Sequence, residues 1–357
     1  MMDEGMKNSF AIYRLPGESC CTLMTQAEAS CALRSAVELS GRSGFVLAPF
    51  AVSEHTPLLL IEPEQTETLP VDQLTALHSH LCVTTLPSSS SDEQSQSRYA
   101  IDFANFHAQL MEGHFQKLVL ARNAFVEMPV KEPLDLFKKA CHLYPQAFVA
   151  LVSTPTSGTW LMATPEILLE RKGQQWRTMA LAGTMEARRP ETSPIGGDGR
   201  GAWSMKNIQE QQYVATYIMQ CLERFASDIH EEGPTTVQAA NVMHLRSDFH
   251  FTLPDAGTVG ALIHQLHPTP AVCGLPKAEA QDFILHNEAA DRLYYSGFCG
   301  PLNREGESHL YVSLRCMQLL ADGYRLYAGG GLLPESLMQQ EWNETEAKME
   351  AMRQLIR

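Results

Sequence analysis

Apolar residues come in short runs broken by turn-forming residues, and the spacing within the runs changes along the chain. Phe45–Phe50 and Leu58–Ile61 are strand-like runs. Lys117–Glu127, Ala147–Ser153, Thr159–Glu170 and Trp176–Leu181 are rich in Val, Leu and aromatics and predict four more strands. From Met205 to Phe225 the period lengthens, and Val214, Ile218, Cys221, Leu222 and Phe225 fall on one face of a helix. Leu293–Leu302, His309–Leu320 and Tyr324–Gly329 read as three strands joined by the turn-like NREGE and ADG, an antiparallel meander. A last helix begins near Ser336, with Ser336 and Gln339 at capping-box spacing. Strands in runs, with helices set between them, predict an α+β fold.

The sharpest break in the pattern is LPSSSSDEQSQSR, Leu86 to Arg98, which is too polar to bury a face. Residues 86–98 therefore read as a surface loop or linker between an N-terminal part, 1–85, and a larger part, 99–357. No short-period repeat suggests a solenoid or propeller. A chain of 357 residues with 44% hydrophobic and 19% charged residues can bury a large core. Its formal charge of -14, with no Lys/Arg cluster, speaks against a nucleic-acid or anionic-membrane partner. Nothing approaches a membrane-spanning apolar stretch, and Met1–Phe10 lacks the apolar segment of a secretory signal. Nine cysteines without a CxxC pair read as reduced thiols, so a cytoplasmic location is expected.

Several residues break this pattern in ways that suggest chemistry. Glu210 falls on the apolar stripe of Val214, Ile218 and Cys221, where a carboxylate needs a cation, a base or a metal beside it. Glu341, Glu344 and Lys348 share one face of the last helix. Oxygen donors from two helices suit Mg²⁺; the alternative is two solvated helix faces with an i,i+4 salt bridge. Lys117, in FQKLVLAR, is either a buried base or a lysine on the wet side of an edge strand. Glu166, in ATPEILLE, follows a proline and is either a proton-donating carboxyl of raised pKa or a turn residue. LAGT (181–184) and YAGGGL (327–332) allow close backbone approach and can offer N–H groups to an anion. LHPTPAVCG (266–274) is a proline-stiffened loop. GGDGRG (196–201) lacks the context of a nucleotide fingerprint and reads as a surface loop. His244, His264 and His267 form no zinc signature.

The order of motifs says more than any one of them. KLVLAR, ATPEILL, LAGT, SMKNIQEQ, MHL, LHPTPAVCGLPK, LYYSGFCG, SLRC, YAGGGL and EWNETEAK run from about Phe106 to Arg357. Together they resemble the chorismate-utilising enzymes, a family of isochorismate synthases, salicylate synthases and the large components of anthranilate and aminodeoxychorismate synthases. The resemblance implies one large fold, with antiparallel sheets forming a core sandwich and helices outside. It also implies a Mg²⁺ cofactor, chorismate as the small-molecule substrate and a monomer. Lys117 matches the base that activates water for attack at C2, and Glu166 the acid that protonates the departing C4 hydroxyl. Glu210 and Glu344, with Glu341 through water, match the carboxylates of a metal that holds the C1 carboxylate. Gly183, Thr184, His244, Tyr295, Arg315, Gly331 and Lys348 match residues lining the substrate pocket.

The match has departures. Asn207 and Gln211 stand where the family usually carries an acidic residue and a histidine, so weaker metal binding or an altered binding order is expected. Tyr327 and Gly330 also differ from the commoner residues. Ala271 occupies a position where lyase-type members commonly carry threonine, which implies that the product is isochorismate, for menaquinone or siderophore synthesis. The alternatives are a salicylate- or amine-forming synthase and, in another class, a non-catalytic chorismate sensor. Retention of Lys117, Glu166, Glu210 and Glu344 together speaks against the sensor.

Overall fold

The computed structural model describes residues 8–74, 95–186, 203–239 and 242–357; GGDGRG and residues 86–94 of the polar stretch lie outside the described residues. Among the described residues the strands form two nine-stranded antiparallel sheets. In spatial order, sheet one holds β14 (Gly274–Leu275), β7 (Lys117–Glu127), β18 (Gly323–Leu332), β17 (Cys316–Leu320), β9 (Gly158–Thr164), β8 (Phe148–Thr154), β1 (Ser9–Arg14), β2 (Cys20–Gln26) and β6 (Gln65–Pro70). Sheet two holds β12 (Ser227–Ala239), β13 (Val242–Thr252), β11 (Gln175–Glu186), β10 (Ile167–Lys172), β16 (Ser308–Val312), β15 (Phe298–Leu302), β4 (Gly44–Ala48), β5 (Leu58–Ile61) and β3 (Cys31–Leu33). The described helices are α1 (Ser95–Met111), α2 (Pro133–Leu143), α3 (Met205–Leu222), α4 (Val259–Leu266), α5 (Lys277–Asn287) and α6 (Met338–Ile356). None of them is long and apolar enough to cross a membrane. The eight described cysteines are free.

Period-two alternation assigns each strand's side chains to two different cores. In β8, Phe148, Ala150 and Val152 point between the sheets, where the Phe148 and Tyr311 rings stack at 4.4 Å. Val149 and Leu151 face the other way, into the cluster that holds Phe137 of α2 and Met349, Met352 and Leu355 of α6. Sheet two is covered likewise by Val214, Ile218 and Leu222 of α3 and Leu262 and Ile263 of α4. Strands buried on both faces give continuous apolar runs, which is why β5 and β7 stood out in the sequence. The result is the α+β sandwich expected, with helices outside.

The structure corrects several boundaries. Thr159–Glu170 is two strands, not one, because Pro165 has no N–H for the ladder; β9 belongs to sheet one and β10 to sheet two. His309–Leu320 is likewise two strands in different sheets, broken at Arg315, whose φ is +44. The expected meander is therefore split: β15 pairs β16 in one sheet, and β17 pairs β18 in the other. YAGGGL forms the second half of β18, with Gly331 opposite Val119. The capping box is absent as well. Ser336 Oγ accepts from Leu333 N–H at 3.1 Å, and α6 starts after Leu337 without a side-chain cap. Helix α1 starts at Ser95, inside the stretch read as a linker.

Candidate active site

The two sheet crossings bring the first pair of residues together. Ala163 N–H donates to Arg315 O at 3.0 Å, and Val312 N–H donates to Glu166 O at 2.9 Å, so each crossing is bonded to the other. Glu166 is buried, and burial pushes its carboxyl up to about 8 although Lys117, Arg315 and Lys348 pull it down. It is therefore a neutral, proton-bearing acid near pH 7. Arg315 has no carboxylate partner among the described residues; its Nη2 lies 3.3 Å from His244 Nε2.

That contact fixes the histidine's proton. His244 Nδ1 lies 2.8 Å from Gly183 O, an acceptor only, so Nδ1 carries the hydrogen and Nε2 accepts from Arg315. Burial, then Arg315 and Lys348, lowers its pKa to about 3, so the ring stays neutral. Gly183 forms the bulge between Ala182 and Thr184, with φ +71. A Cβ there would come within 3.1 Å of Asn207, so the bulge sits tight against the first turn of α3. Asn207 then donates to Thr184 O at 3.2 Å. A carboxylate at 207 could not make that bond, which gives the asparagine a local reason. Gln211, the other departure, is buried and donates to Ala180 O at 3.2 Å.

Lys117 is fully buried at the head of β7, which excludes the wet edge-strand alternative. Its Nζ lies 2.9 Å from Glu210 Oε1, close enough to attract yet without the alignment of a hydrogen bond. Glu210 projects from α3 one turn before Val214, as the stripe predicted. Gly331 makes the meeting possible, since a Cβ there would collide with the Glu210 carboxylate and sit 3.0 Å from Lys117 Cε. Next to it, a Cβ on Gly330 would lie 3.0 Å from Glu341 Oε2 and 3.7 Å from Glu344 Oε1. Lys348 Nζ donates to Glu344 Oε1 at 2.5 Å and to Gly329 O at 2.9 Å. Lys206, at the start of α3, ion-pairs with Glu341 Oε1.

Among the described residues no three His, Cys, Asp or Glu side chains form a ready metal cage. Each of the three carboxylates is instead held by a lysine. The donors nevertheless fit Mg²⁺, which takes one or two carboxylates and keeps water and substrate oxygens for the rest. Glu341 Oε2 is buried with no partner, an oxygen in need of a cation.

Tyr295 belongs to the same neighbourhood. It stacks on Tyr327 at 5.6 Å, and its hydroxyl lies 2.9 Å from where a Gly329 Cβ would be. Ala271 is different. It packs on the core cluster containing Val214 and Val272, and no polar contact links it to the site residues. Two features escaped the sequence reading. Lys206 stood within SMKNIQEQ, and its i,i+4 spacing from Glu210 was the available signal. Glu288 and Arg292 form a buried ion pair behind β7, with i,i+4 spacing as the signal. A cavity of about 650 Å³ lined by Phe50, Tyr217, His267 and Lys277 contains none of the predicted site residues.

A family model described as chorismate binding enzyme matches residues 51–357. The chain is 32% identical over 260 residues to the isochorismate synthase DhbC of Bacillus subtilis, covering 69% of this chain and 64% of that protein. It is 33% identical over 253 residues to a salicylate biosynthesis isochorismate synthase of Pseudomonas aeruginosa, covering 70% of this chain and 52% of that one. These alignments thus span between about half and two thirds of the relatives' own length. The solved structure of MenF, the menaquinone-specific isochorismate synthase of Escherichia coli, superposes with a TM-score of 0.77 at 22% identity. That match covers 99% of this chain and 90% of that one, and it speaks for the fold.

Proposed function

The chain belongs to the chorismate-binding enzyme family, and from that premise we propose that it is a Mg²⁺-dependent isochorismate synthase. The observation that carries this reading is Glu166, a carboxyl buried away from water whose charge is felt by Lys117, itself fully buried. Converting chorismate to isochorismate needs one group to take a proton from water as it attacks C2. It needs another to give a proton to the hydroxyl that leaves C4. Lys117 takes the first proton, and Glu166 gives the second. One hydroxyl is gained and one lost as water, so the product is an isomer and no redox partner is required.

The remaining residues bind and orient. Chorismate is a dianion, and Arg315, without a carboxylate partner of its own, and Lys348 supply cationic donors for it. Neutral His244, fixed by Gly183 O, holds the Arg315 fork in place. Gly183, Thr184, Tyr295 and Gly331 are the residues proposed to border the ring. A bound Mg²⁺ would be held by Glu210 and Glu344, with Glu341 beside them, and would supply a positive charge for the C1 carboxylate. Ala271, with no hydroxyl, supports release at isochorismate rather than onward elimination of pyruvate, and the names of the relatives agree. Chromatography after incubation with chorismate and Mg²⁺ tests the reading. Isochorismate is the expected product; salicylate or an amino product, or chorismate left intact, would overturn it.

A further inference from the structure

Lys206 has no part in the chemistry above, yet it sits at the centre of the acidic residues. Its side chain is 22% exposed and crosses from the first turn of α3 to Glu341 on α6, 135 residues away. Glu341, Glu210 and Glu344 all lie close enough to act on its charge. These are the same three carboxylates assigned to the metal. Glu341 divides its oxygens: Oε1 is taken by Lys206, while Oε2 is buried without a partner. An ammonium and a divalent cation cannot both claim one carboxylate at short range without strong repulsion.

We propose that Lys206 is a built-in competitor of the divalent cation, holding Glu341 in the free enzyme and releasing it when the cation binds. The inference rests on the reading of Glu210 and Glu344 as metal ligands with Glu341 beside them. It makes Lys206 a positioning residue that sets cation affinity. Binding places a second positive charge against the Lys206–Glu341 pair, so affinity in the substrate-free enzyme is held down. The lysine also spares Glu341 the cost of being buried unpaired when no metal is there.

The test is Mn²⁺ binding to the full-length, substrate-free protein, followed by electron paramagnetic resonance of the free ion at pH 8. Lys206→Met should bind Mn²⁺ about tenfold more tightly than wild type, within the usual range of coupling between two ligands of one site. Lys206→Arg, which keeps the charge, should stay close to wild type. Circular dichroism checks each fold, and Lys206→Gln serves as a second neutral variant that should move affinity the same way. General structural damage would weaken binding, so a gain is diagnostic. Unchanged or weaker binding in both neutral variants, with Glu341→Gln and Glu344→Gln still abolishing it, overturns the competitor role and leaves the metal site standing. If Glu341→Gln and Glu344→Gln also leave Mn²⁺ binding untouched, the ligand assignment itself has failed and the inference falls with it.

Discussion

Strand β7 runs past two buried charge clusters that look alike in composition and differ in satisfaction. In the first, Arg292 meets Glu288 at 2.5 Å and 2.7 Å and donates to Val272 O and Val119 O, while Ala121 N–H fills Glu288 Oε1. Its guanidinium also lies 4.2 Å from the Phe50 ring centre. Almost every lone pair and hydrogen there has a protein partner. In the second cluster, Lys117 Nζ and Glu341 Oε2 have no hydrogen bond, and Arg315 has no carboxylate. Buried polar atoms in a folded protein are usually paired, so unpaired charges gathered in one cluster suit a group that arrives from outside. The complete cluster acts as a clamp that ties β7 to the Thr269–Val272 turn and keeps Lys117 in place.

The clamp should break hardest. Arg292→Met leaves Glu288 buried beside no counter-charge and should cost about 3–5 kcal/mol of stability, seen as a drop in the urea midpoint. A shift of only about 1 kcal/mol, the scale of an exposed pair, would mean that the two clusters are not different in kind. Lys117→Ala should do the reverse, lowering kcat by about 100-fold or more at a smaller cost in urea midpoint. Near wild-type kcat would remove Lys117 from the base role.

Glu166 sharpens the contrast, because its effects on rate and stability should have opposite signs. Between its ordinary 4.5 and the folded value of about 8, the folded state binds more protons than the unfolded one. The stability contributed by this group therefore falls as pH rises through that window. Glu166→Gln removes the penalty, so at pH 7 it should raise Tm while lowering kcat by about 100-fold. In wild type, kcat/KM should decline as pH rises through about 8, where the acid loses its proton. A Tm that falls with Glu166→Gln would show that the carboxyl is not held neutral. The smallest change expected is in Ala271→Thr, away from both clusters. A minor pyruvate fraction should appear in a lactate dehydrogenase coupled assay, where wild type gives little. One pyruvate per chorismate from wild type would exchange the isochorismate reading for a lyase within the same family.

Local pattern was enough to find β5, β7 and α3 and to mark Glu210 as a carboxylate out of place on an apolar face. Periodicity reports how a segment is buried, and that is a property of neighbouring residues. The motifs that singled out Lys117 and Glu166 were likewise local in the chain. Tertiary structure alone decided what those residues meet. Thr159–Glu170 and His309–Leu320 each read as one apolar strand, because a strand that changes sheets stays buried on both sides of the break. Only the paired crossings set Glu166 beside Arg315, and only the approach of α6 to α3 gave Lys206 its carboxylate. Such contacts join residues far apart in sequence, where no spacing rule reaches, so only the path of the chain through both sheets fixes them.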